Sequence, residues 1–348
     1  MPDTASEQAP LLQRLGKTYH FDAFVTAIIF LQTGQAAYGL GDGTIRFIDL
    51  SIQQETTSHQ SHQGACLSMV ATPDRGTVLS GGDDGRLVQS SLSETKVLTE
   101  VPGKWIEHLA VSPPSLSSGL YALATAKTVQ IYDDKHQQVA SLDHPATVGG
   151  ITFDDKGGRL AVAHYGGATI WRRDGRRWVS SRLVWAGSHT GITFSPDGKY
   201  VITTMQEAAL HGWRLFDKTD MRMTGYPAKV KSMAFAAGGT HLVTSGADRP
   251  VCWPFVGAKG PMGQKPLQLG SGLESLTTQV AAHPHHPVAA AGYRNGVILL
   301  DLIDRDGTIA VRNPEAGGAV TALAFSPDGQ FLAFGTEDGA AGLVTLPN

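Results

Sequence analysis

The segment AFSPDGQFLAFGTEDG, residues 324–339, contains an apolar strand, a Ser-Pro-Asp-Gly turn, a second apolar strand and an Asp-Gly turn. Pro, Asp and Gly at these positions are typical of tight turns between short strands. A second segment, AAHPHHPVAAAGYRNG at residues 281–296, aligns with the first position for position. The two segments therefore indicate an internal repeat, and the His-rich turn of the second raises the question of a metal site.

Eight segments share one template of strand, turn, strand, Gly/Asp turn and third strand. The last residue of each first strand serves as an anchor for the alignment. The anchors are Phe30, Ala71, Val111, Phe153, Phe194, Phe235, Ala282 and Phe325. Successive anchors are 40 to 47 residues apart. Short strands with a period in the forties predict a β-propeller, because radial sheets in a ring bury both faces against their neighbours.

Several of these units resemble WD40 repeats. The FSPDG motif of that family is intact at Phe194–Gly198 and Phe325–Gly329, and the Asp-Gly turn between the second and third strands is intact at 42–43, 84–85 and 338–339. The similarity extends over about residues 17–347. It implies an all-β, closed β-propeller of WD40-like four-stranded antiparallel blades.

Other family positions are altered. Of the positions where the family has Gly-His, only two hold a histidine, His62 and His144. Trp171, Trp213 and Trp253 occupy the Trp-Asp position without the Asp. The chain therefore resembles a divergent member, and the resemblance implies the fold and not a particular partner.

Counting the units predicts eight blades. The alternative is seven, the commoner number in the family, if one degenerate unit is misread. The eighth unit ends at Leu346 after its third strand, and the strand-like segment KTYHFDAF (17–24) has no unit before it. This N-terminal strand is predicted to complete the last blade and remove an exposed sheet edge. Residues 1–16 are predicted to be a flexible N-terminal tail, and residues 17–348 a single propeller domain.

The charge balance argues against some partners. The chain has 28 basic and 31 acidic residues, a formal net charge of −3, so no nucleic acid and no membrane is expected as partner. Cys66 and Cys252 are the only cysteines, too few for a secreted disulfide framework. The N-terminus lacks the basic and apolar regions of a secretory signal. We therefore expect a cytoplasmic protein that is monomeric on its own.

Two sets of residues are candidates for zinc. His283, His285 and His286 lie in a hairpin between first and second strands, on the face called the bottom here. Imidazoles bind zinc, but surface histidine runs are also common at solvated hairpin tips, and this second reading is preferred.

The other set lies on the opposite, top face, near the mouth of the central channel. It comprises Cys66, His108 and His189, with His62 or His164 beside them. Zinc accepts Cys and His ligands. The spacing carries no recognised ligand signature, so packed, hydrogen-bonded side chains are the preferred reading.

The segment WRRDGRRW (171–178) forms a bottom-face hairpin between third and fourth strands. Its candidate partner-binding residues are Arg172, Arg173, Arg176, Arg177 and Trp178. Arginines beside aromatic rings bind phosphates or acidic peptides, whereas a solvated tip is the alternative.

No phosphate-binding loop, nucleophile elbow or His-Glu-x-x-His helix is present in the sequence. The predicted function is a non-enzymatic protein-interaction scaffold that binds a protein or peptide through its top-face loops and central mouth. The alternatives are a propeller that binds zinc or a small ligand at the upper mouth, and a propeller hydrolase. No cofactor is predicted, apart from the zinc of the first alternative.

Overall fold

The computed structural model describes residues 9–113, 119–257, 259–314 and 317–347. These residues form thirty strands, one short helix and one 3-10 turn, so the protein is all-β as predicted. In chain order, the first elements are α1 (Leu11–Leu15), β1 (Gly16–His20), β2 (Val25–Phe30), β3 (Gln35–Leu40), β4 (Thr44–Asp49), β5 (Gln54–Gln60), β6 (Cys66–Ala71), β7 (Val78–Gly82), β8 (Arg86–Ser90), β9 (Thr95–Glu100), β10 (His108–Val111), β11 (Leu120–Thr125), β12 (Thr128–Asp133) and β13 (Gln138–Asp143).

The second part contains the two longest strands of the described chain, β15 and β16. Its elements are β14 (Val148–Phe153), β15 (Arg159–Asp174), β16 (Arg177–Phe194), β17 (Tyr200–Met205), β18 (Leu210–Arg214), β19 (Thr219–Met223), β20 (Met233–Phe235), the 3-10 turn Ala237–Gly239, β21 (His241–Thr244), β22 (Val251–Pro254), β23 (Leu267–Gln268), β24 (Thr277–Ala282), β25 (Val288–Tyr293), β26 (Ile298–Leu302), β27 (Thr308–Arg312), β28 (Val320–Phe325), β29 (Phe331–Thr336) and β30 (Ala340–Thr345).

The described strands form seven hydrogen-bonded sheets. Six have four antiparallel strands, and the seventh has six strands in the order β14-β15-β16-β17-β18-β19. The seven sheets match the alternative prediction of seven blades. The preferred prediction of eight separate four-stranded blades is wrong, because two repeats are joined in one sheet. β15 and β16 run on where the repeat pattern predicts separate strands, so that the fourth and fifth repeats share one sheet.

The shared sheet is held together at its bend by one backbone pair. Tyr165 pairs with Ser188, and the register then shifts before Gly167 pairs with Val184. Gly167 has a φ of 128°, and a Cβ there would meet the carbonyl of Leu183, so only glycine fits this approach. On either side each repeat keeps its own ladder, and the apolar side chains of the two halves pack against each other.

The ring is closed by the N-terminal strand, as predicted. β1 pairs antiparallel with β30, from Gly16 opposite Val344 to His20 opposite Ala340. Buried residues of the first and last blades form one core cluster around this closure, and the buried Tyr38 hydroxyl donates to the carbonyl of Gly342. The closing strand thus covers an edge that would otherwise be exposed.

The expected flexible tail contains structure. Residues 11–15 form the helix α1, in which Leu11 and Leu12 are only 4% and 6% exposed. Both leucines pack in a core cluster with residues of the last two blades, such as Leu300 and Val344. Residues 11–16 therefore belong to the packed fold, because two buried leucines stabilise their docking. Residues 1–8 lie outside the described part of the chain.

Candidate protein-interaction surface

The arginine hairpin joins β15 to β16. Arg173 pairs with Trp178 and Asp174 with Arg177, which places Gly175, with a φ of 61°, in the turn. All four predicted arginines are exposed. Trp178 is half-buried and packs, together with Trp171, on the core cluster between the third and fourth repeats. The tryptophans therefore fix the base of the hairpin, whereas the arginines face solvent.

The positive charge of this hairpin is not neutralised by the neighbouring chain. Residues 171–178 contain four arginines and one aspartate. Within the described residues, none of Arg172, Arg173, Arg176 and Arg177 forms an ion pair, and Arg173 uses its Nε–H to donate to the Gly175 carbonyl at 3.3 Å. Such a cluster attracts acidic groups over a distance of about 8–10 Å at ordinary salt.

A groove of about 600 Å³ has Arg159, at the start of β15, in its lining, and no residue of the hairpin lines it. The backbone N–H of Arg173 donates to the carbonyl of Gly158 at 2.9 Å, which joins the hairpin to the start of β15. Arg159, which follows Gly158, lines one side of the groove, and most of the other lining residues belong to hairpins of the next repeat. Its lining residues are Arg159, Gly198, Lys199, Tyr200, Arg214, Leu215, Phe216 and Gly257.

The cations that line the groove already have carboxylate partners. Arg159 Nε lies 2.8 Å from Asp154, and its guanidinium stacks 5.0 Å from the Phe194 ring centroid. Lys199 Nζ lies 2.9 Å from Asp197. These pairs hold the walls in place and leave the groove itself with little net charge.

Phe216 is the most exposed large apolar side chain of the described residues. Its ring is 84% exposed at the tip of the β18–β19 hairpin, and the Arg214 guanidinium lies 5.2 Å from its centroid. Arg214 also bonds to Asp217 at 2.6 Å, and this hydrogen bond lowers the pKa of the Asp217 carboxyl. We call the arginine hairpin (172–177) and this groove together the basic rim.

The upper-mouth residues proposed as zinc ligands are each engaged in other contacts. Cys66 is fully buried among apolar side chains, and burial raises the pKa of its thiol to about 12, so it is protonated. His62 hydrogen-bonds through Nδ1 with Asp84 at 3.1 Å and through Nε2 with Ser80 at 2.8 Å. Burial lowers the pKa of the His62 ring despite Asp84.

The remaining histidines of that set have their own positions. His189 Nδ1 lies 2.7 Å from Thr203 Oγ1, His164 Nε2 lies 2.9 Å from Thr169 Oγ1, and His108 is half-buried with a pKa lowered by burial. In the part of the chain that the structure describes, no group of three or more His, Cys, Asp or Glu side chains is placed to hold a metal ion. The set therefore does not form a metal centre in this structure.

The bottom-face histidines form a turn. His283 Nδ1 accepts hydrogen bonds from the backbone N–H groups of His285 and His286 at 3.1 and 3.0 Å. In the intact FSPDG turn, Asp328 accepts in the same way from Gln330 N at 3.0 Å. His283 is 8% exposed, so the reading of a wholly solvated tip is wrong for this residue.

The histidine turn also contacts the next blade. The ring Nε2 atoms of His283 and His285 lie 3.1 Å from the carbonyl oxygens of Gly329 and Pro327, respectively. The two turns are thus linked across the blade boundary. The cluster takes the place of the Ser-Pro-Asp-Gly turn and adds contacts between blades, and it uses both ring nitrogens of His283 and Nε2 of His285 in doing so.

Two hydrogen-bond networks inside the blades, each around a tryptophan, were not predicted from the sequence. In the fourth repeat, Trp171 Nε1–H donates to His144 Nε2 at 2.9 Å. In the sixth, Trp253 Nε1–H donates to the hydroxyl of Tyr226 at 2.6 Å, and that hydroxyl lies 2.7 Å from Thr244 Oγ1. Tyr226 occupies the position where the family has Gly-His. This position was the sequence feature from which a polar contact of Tyr226 could have been predicted.

The groove beside Phe216 was also missed. Leu215 and Phe216 follow a strand in sequence and look like a hairpin end, so only their position next to the fourth repeat reveals the groove. No helix within the described residues is long and apolar enough to cross a membrane.

The comparisons with known proteins agree with the fold. The WD40 family (WD domain, G-beta repeat) matches residues 305–341, which belong to the last two repeats. Among solved structures, 1831 chains match. One is the crystal structure of the computationally designed protein Ika8, which is 19% identical, covers 94% of this chain and 98% of its own, and superposes with a TM-score of 0.74.

At 19% identity this likeness shows the fold alone. No curated protein sequence matches the chain at a significant level. The matched repeat, the FSPDG turns and the ring closed by β1 all indicate a WD40-like propeller. The WD40-repeat match and the β-propeller fold support a place for the chain in the WD40-repeat β-propeller family.

Proposed function

We propose that the protein is a non-enzymatic interaction scaffold and that its basic rim binds an acidic segment of a partner protein. WD40 propellers commonly bind protein partners. The observation that carries the proposal is the four arginines without ion pairs, on a hairpin bonded to Gly158, together with the groove lined by Arg159 and by the exposed Phe216. An acidic segment with an apolar side chain complements both features.

The two features contribute differently. Burying an exposed phenylalanine stabilises a complex by about 1.5–3 kcal/mol. Each exposed ion pair contributes about 0–1 kcal/mol. We therefore expect Phe216 to contribute most per residue to affinity. The arginines set the association rate and the preference for acidic over basic segments.

The top face remains a proposal for a second partner surface. Its connections carry Trp105 and Tyr165, which are 60% and 65% exposed. In this proposal the protein is cytoplasmic and monomeric on its own. The basic rim is favoured for the first test because charge and shape there indicate the chemistry of the partner.

The test uses a fluorescein-labelled peptide of Glu-Glu-Leu-Leu blocks around one Phe, which as a strand carries Glu and Leu on both faces, and a counterpart with Lys in place of Glu. Fluorescence anisotropy measures binding to the parent protein and to the double variant Arg172→Glu/Arg176→Glu. Arg305→Glu, on an exposed hairpin of another blade, is the matched control. We expect the Glu peptide to bind the parent and Arg305→Glu equally, and the double variant at least about tenfold more weakly.

Binding of the Glu peptide should weaken as salt rises, and the Lys peptide should not bind. Equal binding by the parent and the double variant would overturn the proposal. So would tighter binding of a single-stranded oligonucleotide than of the Glu peptide, because the arginines would then act as a phosphate site.

A further inference from the structure

The first half of β16, residues 177–184, is an open sheet edge. On one side, these eight residues pair with residues 167–174 of β15. The following strand, β17, pairs only with the second half of β16, from His189 to Phe194. Within the described residues, residues 177–184 therefore have no strand on their outer side.

This edge is the longest outer edge of the described ring. Its ladder has eight consecutive pairs, from Gly167 opposite Val184 to Asp174 opposite Arg177. The outer strand β5 has six pairs, and the outer strand β23 has two. A long regular edge offers alternating N–H and C=O groups to an added strand.

The side chains of the edge favour an acidic and aliphatic partner. Val179 and Val184 are 47% and 71% exposed. Arg177 and Arg182 are also exposed, and the segment RWVSSRLV contains no acidic residue. Lys218 Nζ, from the neighbouring hairpin, lies 3.5 Å from the carbonyl of Arg182 and adds a further positive charge.

The edge also continues directly from the basic rim. Arg177 is both the last arginine of the hairpin and the first residue of the edge. An extended segment bound at the hairpin can therefore continue along residues 177–184 without a turn. A second copy of the same edge is a poor occupant, because its own Arg177 and Arg182 would repel these arginines.

We propose that the acidic segment of the partner binds as an added β-strand along residues 177–184. This inference rests on the proposed function and specifies how the segment is held. Its backbone pairs with the outer N–H and C=O groups of β16. Its carboxylates lie opposite Arg177 and Arg182, and its aliphatic side chains cover Val179 and Val184.

The test uses two N-methylated versions of the labelled Glu/Leu/Phe peptide, one methylated at odd and the other at even backbone positions. In an added strand, alternate N–H groups face the edge, so one series loses binding and the other keeps it. We expect a difference of at least about tenfold between the two series. Equal affinities of the two series, whether both strong or both weak, overturn strand addition.

A pair of protein variants gives an independent check. Val179→Asp places a charge on the edge, and Val139→Asp makes the same change on the outer strand β13, where the valine is 44% exposed. Since both sites are exposed, thermal melting of the two variants should stay close to that of the parent. We expect only Val179→Asp to weaken binding of the unmethylated peptide.

The two proposals fail in different ways. If the arginine double variant loses binding but the methylated series are equal and Val179→Asp binds normally, the rim binds acidic segments without strand addition, and the inference is wrong. If the double variant binds normally, the proposed function itself is wrong.

Discussion

Acid should destabilise this propeller through its buried histidines, and His211→Leu should remove the part of that effect that this ring contributes. His211 is fully buried in β18, and neither of its ring nitrogens has a hydrogen-bond partner in the described structure. Its ring stacks on Trp185 with centroids 3.9 Å apart. Burial lowers the pKa of His211 to about 4, although Asp220 lies 3.6 Å away. The carboxylate is half exposed, so solvent screens its attraction.

His144 behaves similarly. Burial lowers its pKa to about 4. Its Nε2 accepts the Trp171 N–H and its Nδ1 donates to the Lys127 carbonyl, an arrangement that fits only the neutral ring.

The sign and size of the pH effect on the free energy of unfolding follow from the linkage between proton binding and folding. The unfolded chain binds protons at these rings near pH 6.5, whereas the folded chain does so only near pH 4. Stability is therefore complete above about pH 7 and is lost as the pH falls from about 6.5 to 4. At pH 5 each ring costs about 2 kcal/mol, so the two together lower the free energy of unfolding by about 4 kcal/mol.

The loss of unfolding free energy between pH 7.5 and pH 5 can be measured by urea unfolding. The proteins compared are the parent, His211→Leu and the exposed control His20→Leu. His211→Leu should lose about 2 kcal/mol less than the parent between the two pH values, and His20→Leu should behave like the parent. At pH 7.5, His211→Leu should be at least as stable as the parent, because it removes two buried ring nitrogens without partners. The same loss in parent and His211→Leu would show that this ring does not titrate as the structure implies.

Three further changes test the fold. Deleting residues 1–24 removes β1 and both buried leucines, so several kcal/mol of stability or solubility should be lost in thermal melts, whereas deleting only 2–8 should change little. Replacing the histidine turn (283–286) with Ser-Pro-Asp-Gly should cost at most about 2 kcal/mol, for two contacts between blades, with no change in zinc content by mass spectrometry. Tyr226→Phe should cost about 1–3 kcal/mol in urea unfolding, since it leaves the buried Trp253 N–H without an acceptor, and a neutral result would contradict that bond.

The repeat pattern predicted the ring because spacing and turn residues reflect local chemistry. FSPDG folds as a turn wherever it occurs, and each anchor ends a first strand. Closure could also be predicted, since counting strands shows that β30 needs a partner and that residues 17–24 are unpaired.

The shared sheet could not be predicted. It depends on one pair, Tyr165 with Ser188, and on the close approach of Gly167 to Leu183. Neither feature changes the repeat length, which was the quantity that the alignment measured. The helix α1 was missed for a related reason, because its five residues have no repeat partner and only tertiary contacts bury Leu11 and Leu12.

The candidate sites also differ in how much of each could be predicted from the sequence. The arginine hairpin is contiguous in sequence, so its charge could be recognised before its surroundings were known. Histidine roles depend on hydrogen bonds to distant residues, such as His62 with Asp84 and His283 with Gly329. Sequence could place these rings on the two faces but could not say that their nitrogens were already occupied.

The pairing of β1 with β30 also determines when the ring can close during synthesis on the ribosome. Residues 16–20 are made before the other strands of the ring, whereas their partners at residues 340–344 are made after those strands. The first strand must therefore wait, with its backbone and the apolar side chains beside it exposed, until nearly the whole ring has been translated. During that interval the strand is open to chaperones and to wrong partners alike. A circular permutation that joined β30 to β1 through a short turn would end the wait, and it should raise the refolding yield more than it raises equilibrium stability.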